Sequence, residues 1–207
     1  YTYNNVGQLL SKEFPDDTSD NFTYDANGNL LAVIDENGTI AFTYDSANRI
    51  IEVIYPGGET VSYQYDALGN RSQLVYPNGL VLDYEYDSLN RLTFIKSGSE
   101  IVASYNYDQL SRAIRRELLN GTFTTYSYDP AGQLLELINR KSNNEIISSF
   151  AYTYDSLGNR ISMTTLQGNT TYVYDAISQL ISVTRPDGIL TNYDLDAAGN
   201  RVSVMDS

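Results

Sequence analysis

The side chains of this sequence that could do chemistry are carboxylates and phenols. The chain has 26 Asp and Glu and 19 Tyr against 13 Lys and Arg, with no His and no Cys. Without imidazole or thiol, zinc ligation, thiolate nucleophiles and Ser–His triads have no residues to use, and the commonest general base is missing. Acid–base work falls to carboxylates alone. Glycoside hydrolysis is the reaction two of them could run, given a separation of about 5–9 Å and unlike environments. Nine of the aspartates, however, recur at one fixed place in a repeated sequence, which assigns them to turns rather than to catalysis. Calcium takes Asp, Asn and backbone carbonyls, and Asp16-Asp17 and Asp35-Glu36-Asn37 offer those ligand types. Neither has the spacing of an EF-hand loop, so no catalytic residue, cofactor or metal is expected. The tyrosines could form a sugar-stacking platform or a packing ladder.

What must position these residues is the repeat itself. The stretch Tyr63-Gln64-Tyr65-Asp66-Ala67-Leu68-Gly69-Asn70-Arg71 is written ten times. With the second Tyr as position 0, the counterparts are Tyr3, Tyr24, Tyr44, Tyr65, Tyr86, Tyr107, Tyr128, Tyr154, Tyr174 and Leu195, a period of about 21 residues. Position −2 is aromatic in every copy, and position 1 is Asp in all but Asn4. Such self-similarity is the signature of repeat architecture. In Val61-Ser62-Tyr63-Gln64-Tyr65 the apolar residues alternate, which is the period of a strand. Gly or Asn fills position 4 in eight copies, as a turn needing positive φ requires. The Asp before it suits an Asx-type turn. Aliphatic residues follow at positions 7 and 9, as in Leu31 and Val33 or Ile51 and Val53. Pro56-Gly57-Gly58, Pro77-Asn78-Gly79, Pro186-Asp187-Gly188 and Glu36-Asn37-Gly38 close the repeat with strong hairpin signals. The expected fold is all-β, a ten-unit antiparallel β-hairpin repeat array forming a curved, spiralling sheet or partial barrel. A ladder of aligned rings is preferred to a sugar platform, since a residue present in every repeat is first explained by what every repeat needs. All but Tyr55 and Tyr76 of the tyrosines lie in the frame.

These residues resemble the YD-repeat, or RHS-repeat, family. Tyr65-Asp66-Ala67-Leu68-Gly69-Asn70-Arg71, Tyr154-Asp155-Ser156-Leu157-Gly158-Asn159-Arg160 and Pro186-Asp187-Gly188 match its unit closely. The resemblance implies a spiralling sheet that in complete members wraps into a hollow shell, as in bacterial polymorphic toxins, insecticidal toxin complexes and teneurins. It further implies a non-enzymatic structural segment that encloses or displays a toxin or other effector, with the rest of the shell and that domain as partners. A secreted or cell-surface location follows from the same resemblance. The alternative is a carbohydrate-binding surface module with glycans as partners. The core motif with which toxin members close their shell does not follow Asn200-Arg201. Asp129-Pro130-Ala131-Gly132 occupies turn positions 1 to 4 of an ordinary repeat.

Residues 1–207 are expected to be a single array, a segment of a longer shell. A formal charge of −13 and a pI near 4.2 speak against a nucleic-acid partner, and no apolar run is long enough for membrane insertion. Arg112, Arg115 and Arg116 form the one basic cluster, expected on a solvated strand face beside acidic neighbours. The repeat at Tyr128 is five residues longer than the rest, with Asn139-Arg140-Lys141-Ser142-Asn143-Asn144 as the expected inserted surface loop.

Overall fold

A computed structural model describes all 207 residues. Twenty strands and no helix make up the chain, so no helix is long and apolar enough to cross a membrane. Two compact units divide it, Tyr1–Val102 and Ala103–Ser207. In each, successive strands pair antiparallel with their sequence neighbours. The first runs in this way from Thr2–Tyr3 to Leu92–Ser97, the second from Glu100–Tyr107 to Arg201–Asp206.

The register explains which faces the repeat presents. Position −2 of each repeat stands opposite position 9, as in Phe42 opposite Val53 and Tyr63 opposite Leu74. Position 9 in turn stands opposite position −4 of the next repeat, as in Val53 opposite Val61. Directly opposed residues share a face. Within each unit the aromatics at −2 and 0 therefore lie on one side of the sheet, as the fixed register predicts. Position −1 lies on the other side and is exposed in every repeat.

A feature absent from simple alternation appears at the start of every second strand. The register shifts between positions −1 and 0, so that Tyr65 stands opposite Arg71 while Gln64 stands opposite Gln73. Position 7 is thus a bulge residue without a ladder partner, two residues facing one across the pair. The bulge recurs at Tyr24, Tyr44, Tyr128, Tyr154 and Tyr174. It brings positions 6 and 9, rather than 7 and 9, onto the aromatic face. Position 7 is more open in consequence, with Leu31, Ile114, Leu135 and Ile161 all exposed, whereas Val53 and Leu74 at position 9 are buried. Few side chains are buried outright, the apolar ones being Val53, Leu74, Ala103 and Ile138. That is the expected state of strands whose close contacts are with the strands before and after them in sequence.

The longer repeat at Tyr128 departs from expectation. Asn139 and Arg140 belong to the strand Leu134–Arg140, and Ile146–Tyr154 is a strand of nine residues. The additional residues lengthen both arms of the hairpin instead of swelling the loop. Only Lys141–Glu145 forms the turn, with the backbone geometry of its shorter counterparts.

Candidate functional site

The recurring chemistry lies where the first turn meets the aromatic face. The loop after Tyr65 begins at Asp66, whose N–H donates to the Asn70 carbonyl and whose carbonyl accepts the Gly69 N–H. The same two bonds close all ten first turns. Position 4 takes positive φ in every copy, from 59° at Asn48 to 90° at Gly69. Asn and Ser are tolerated there at a cost that Gly avoids.

The position-1 side chain holds this loop. Oδ1 of Asp66 accepts the N–H groups of Leu68 at 2.9 Å and Asn70 at 2.8 Å, and Oδ2 accepts the Asn70 amide at 3.0 Å. Asn4, the variant, makes the same backbone contacts to Val6 and Gln8. Asp129 of the Asp-Pro-Ala-Gly segment likewise accepts the Gln133 N–H at 2.8 Å, so that segment is an ordinary turn. In other repeats position 5 is Arg, and Arg49, Arg91 and Arg112 ion-pair with Asp45, Asp87 and Asp108 at 2.6–2.7 Å. These bonds favour the ionised carboxylate. Asp25, Asp66, Asp87, Asp155 and Asp196 are held below the usual carboxylate range first by the side chain at position 5. For Asp45 and Asp108 the position-5 backbone N–H is the leading cause.

The tyrosine at position 0 links one repeat to the one before. The hydroxyls of Tyr24, Tyr44, Tyr65, Tyr86, Tyr128, Tyr154 and Tyr174 donate to the position-6 carbonyls of the preceding repeats: Leu9, Leu30, Ile50, Arg71, Ala113, Leu134 and Arg160, at 2.7–3.0 Å. Each accepting carbonyl sits beside a bulge, where regular pairing is interrupted. Burial pushes the Tyr44, Tyr86, Tyr128 and Tyr154 phenols up. Arg49 and Arg112 add a second link, with guanidinium carbons 4.4 and 4.8 Å from the ring centres of Tyr65 and Tyr128 in the following repeats. Neighbouring first turns also bond directly, through Asn29 to Asn48 at 2.8 Å and Asn159 to Ser178 at 3.0 Å.

Elsewhere the expected groups behave differently from one another. Asp16, Asp35 and Glu36 line a shared cleft of about 280 Å³, but Asp16 is turned to the Thr18 hydroxyl and Asp35 to the N–H groups of Asn37 and Gly38. No group of three or more His, Cys, Asp or Glu converges on a metal position. The basic cluster is not one surface. Arg112 is in a turn, Arg115 pairs with Glu117 at 2.9 Å on the face away from the aromatics, and Arg116 lies opposite Tyr105 on the aromatic face. A cleft of about 900 Å³ lies between the loops at Gly57–Thr60 and Tyr76–Gly79. It holds a single carboxylate, Glu59, so it lacks the pair that glycoside hydrolysis needs.

Antiparallel Tyr-Asp hairpins, seven of them clasped to the one before by a phenol, define the class: a β-hairpin repeat array. The chain belongs to the Teneurin YD-shell family, whose pattern matches residues 1–124, and the RHS Repeat pattern matches residues 174–206. No curated protein matches it. Among solved structures it is similar to TcdB2-TccC3, with 18% identity, a TM-score of 0.71 and coverage of 97% of this chain and 14% of that one. The TcdB2-TccC3-TEV structure gives 18% and 0.70, covering 97% and 13%. A Tc holotoxin pore of Photorhabdus luminescens gives 16% and 0.61, covering 98% and 15%. The chain thus spans about one seventh of the length of the solved chains it matches.

Proposed function

We propose that residues 1–207 are one continuous stretch of a YD/RHS shell wall, a non-enzymatic structural element. Its partners are the remaining repeats of the shell and an effector domain that the shell encloses or displays outside the cell that makes it. The observation that carries this reading is the phenol-to-carbonyl clasp. It spends the recurring polar group of the repeat on joining one repeat to its predecessor, which is what a wall requires of every course. The similarity in fold to toxin-complex components supports the same reading, and the single carboxylate of the cleft at Gly57–Thr60 speaks against catalysis there. Because these hydroxyls are engaged at 2.7–3.0 Å, they are not free to serve a glycan.

The test is protease protection in the full polypeptide that carries these repeats. An enclosed effector domain resists a protease that digests the same domain expressed alone, and electron microscopy shows density inside the wall. Equal digestion of the two forms, with an empty interior, overturns enclosure.

A further inference from the structure

We propose that the cleft of about 250 Å³ beside the lengthened hairpin is an oxyanion-binding site with the Arg116 guanidinium as its anchor. Position 9 of the repeat is apolar in eight of the ten copies, including Val33, Leu74, Leu137 and Val183. In the repeat of Tyr107 it is Arg116, set opposite Tyr105 on the aromatic face. Nothing in the wall asks for a cation there. The guanidinium reaches only the Thr124 hydroxyl, at 3.4 Å, and its Nε is shielded from water without an acceptor. A buried donor without a partner is costly, and replacing it by the aliphatic residue of the other repeats would remove the cost.

A row of polar side chains continues from Arg116 across the sheet. The Thr124 hydroxyl donates to Asn139 Oδ1 at 2.7 Å, and the Asn139 amide donates to the Ser148 hydroxyl at 2.8 Å. These residues stand opposite one another on consecutive strands. Ser148 stands six residues before its position-0 tyrosine, one residue further than Thr60, which begins the strand ending at Tyr65. It belongs to the nine-residue strand of the lengthened hairpin. The departure at position 9, the polar row and the lengthened arms come together in one repeat pair and line one cleft.

The chemistry that fits is an oxyanion, a carboxylate or a phosphate. Guanidinium presents N–H groups in a planar fork matched to two oxygens of either. A turn of the flexible Arg116 side chain toward the cleft gives its unused donors an acceptor, and the Ser148 hydroxyl proton and the second N–H of the Asn139 amide can meet the remaining oxygens.

Titration of the whole 207-residue chain at constant ionic strength tests this, with chloride as control and inorganic phosphate and acetate as probes. The readout is the arginine Nε–H region of a nitrogen–proton correlation spectrum. The Arg116 resonance is expected to move saturably with at least one probe. A shift with phosphate alone assigns a phosphate source, one with acetate alone a carboxylate, and one with both the shared chemistry. Arg116→Leu restores the residue type of the other repeats and keeps the fold. It is expected to weaken binding, read from the Thr124, Asn139 and Ser148 amides, roughly ten- to a hundredfold. Arg185→Leu, at the Pro186-Asp187-Gly188 turn and outside the cleft lining, leaves it unchanged. An Arg116 resonance unmoved by both probes, or R116L binding within twofold of the parent, overturns the site.

Discussion

The two turns of each repeat share a backbone and differ in what holds it. In the first turn, after the position-0 tyrosine, the loop is closed by an acidic or amide side chain at its opening residue, and Oδ1 accepts the position-5 N–H in all ten copies. In most second turns the backbone bonds are the same, as between Tyr76 and Leu80 or Lys141 and Glu145. There the Asx residue stands third and receives one N–H: Asn78 that of Leu80, Asn143 that of Glu145, Asp187 that of Ile189. Three other second turns are tighter, with two residues between strands: Asp35 stands directly opposite Gly38 and Thr165 opposite Gly168, and Gly98 and Ser99 separate the strands ending at Ser97 and beginning at Glu100. The first turns also bond to one another from repeat to repeat. One margin of the array is thus clamped and uniform, while the other varies in length, type and side chain. Uniform geometry at one margin suffices to keep the strands in register.

Substitutions can break this contrast, and the largest effect is expected at a first-turn glycine. Gly158→Val forces a β-branched residue to φ 86° and sets its Cβ 3.0 Å from the Gln133 amide nitrogen. It should cost about 1–3 kcal/mol by denaturant unfolding. The tight second turns sharpen the contrast from the other side. A Cβ at Gly38 would meet the Pro56 Cβ at 2.7 Å, so Gly38→Ala should destabilise where Gly58→Ala, with open space around it, does so less.

Next comes the clasp. Tyr65→Phe leaves the Ile50 carbonyl without its donor and should cost about 1 kcal/mol. Tyr63→Phe should stay within about 0.5 kcal/mol, since Phe22 and Phe42 already occupy that position. Equal losses in the two variants would refute the division of labour between the two rings.

The clamp gives the array an acid limit. Asp45, Asp66 and Asp155 are held below the ordinary carboxylate value of 3.8, so their stabilising contribution is complete above about pH 3.8 and is lost as pH falls through the folded values. The phenols run the opposite way. Tyr44, Tyr86 and Tyr128 are raised above 10.0, so their contribution is complete below pH 10.0 and is lost as pH rises through the folded values. Melting temperatures across both windows should fall at each end. Asp66→Ala and Asp155→Ala together should flatten the acid limb and leave the alkaline one. The smallest change belongs to the variable margin: Asn143→Ala removes one exposed turn bond and should barely move the melting temperature.

Much of this was legible in the sequence, and the reasons for the gaps are physical. The Tyr-Asp frame and turn glycines gave the strands, the register and the clamped loop because each obeys a local rule. The bulge at position 7 breaks the alternation, and Leu31 or Ile51 looks like an inward residue on a period of two. The clasp leaves a trace in the sequence: position −2 accepts Phe twice, whereas position 0 never does. That asymmetry marks a hydroxyl with a fixed partner. The polar run Asn139–Asn144 has loop composition, yet cross-strand pairing and the Asn139–Ser148 bond draw its first two residues into the strand. The arginine cluster dissolved because neighbours in sequence point to opposite faces of a strand.

The phenol clasp makes the repeat a transferable part. Each 21-residue module carries the hydroxyl that its predecessor needs and exposes beside its own bulge the carbonyl that its successor will use. Copying one module in tandem leaves both junctions complete, because the new hydroxyl and the new carbonyl arrive together. Genes for such arrays can lengthen by duplication without a compensating change elsewhere. The exception is a module such as that of Leu195, which has no hydroxyl to offer. Duplicating it would add a junction without its clasp, so selection on array length should favour modules that keep the tyrosine.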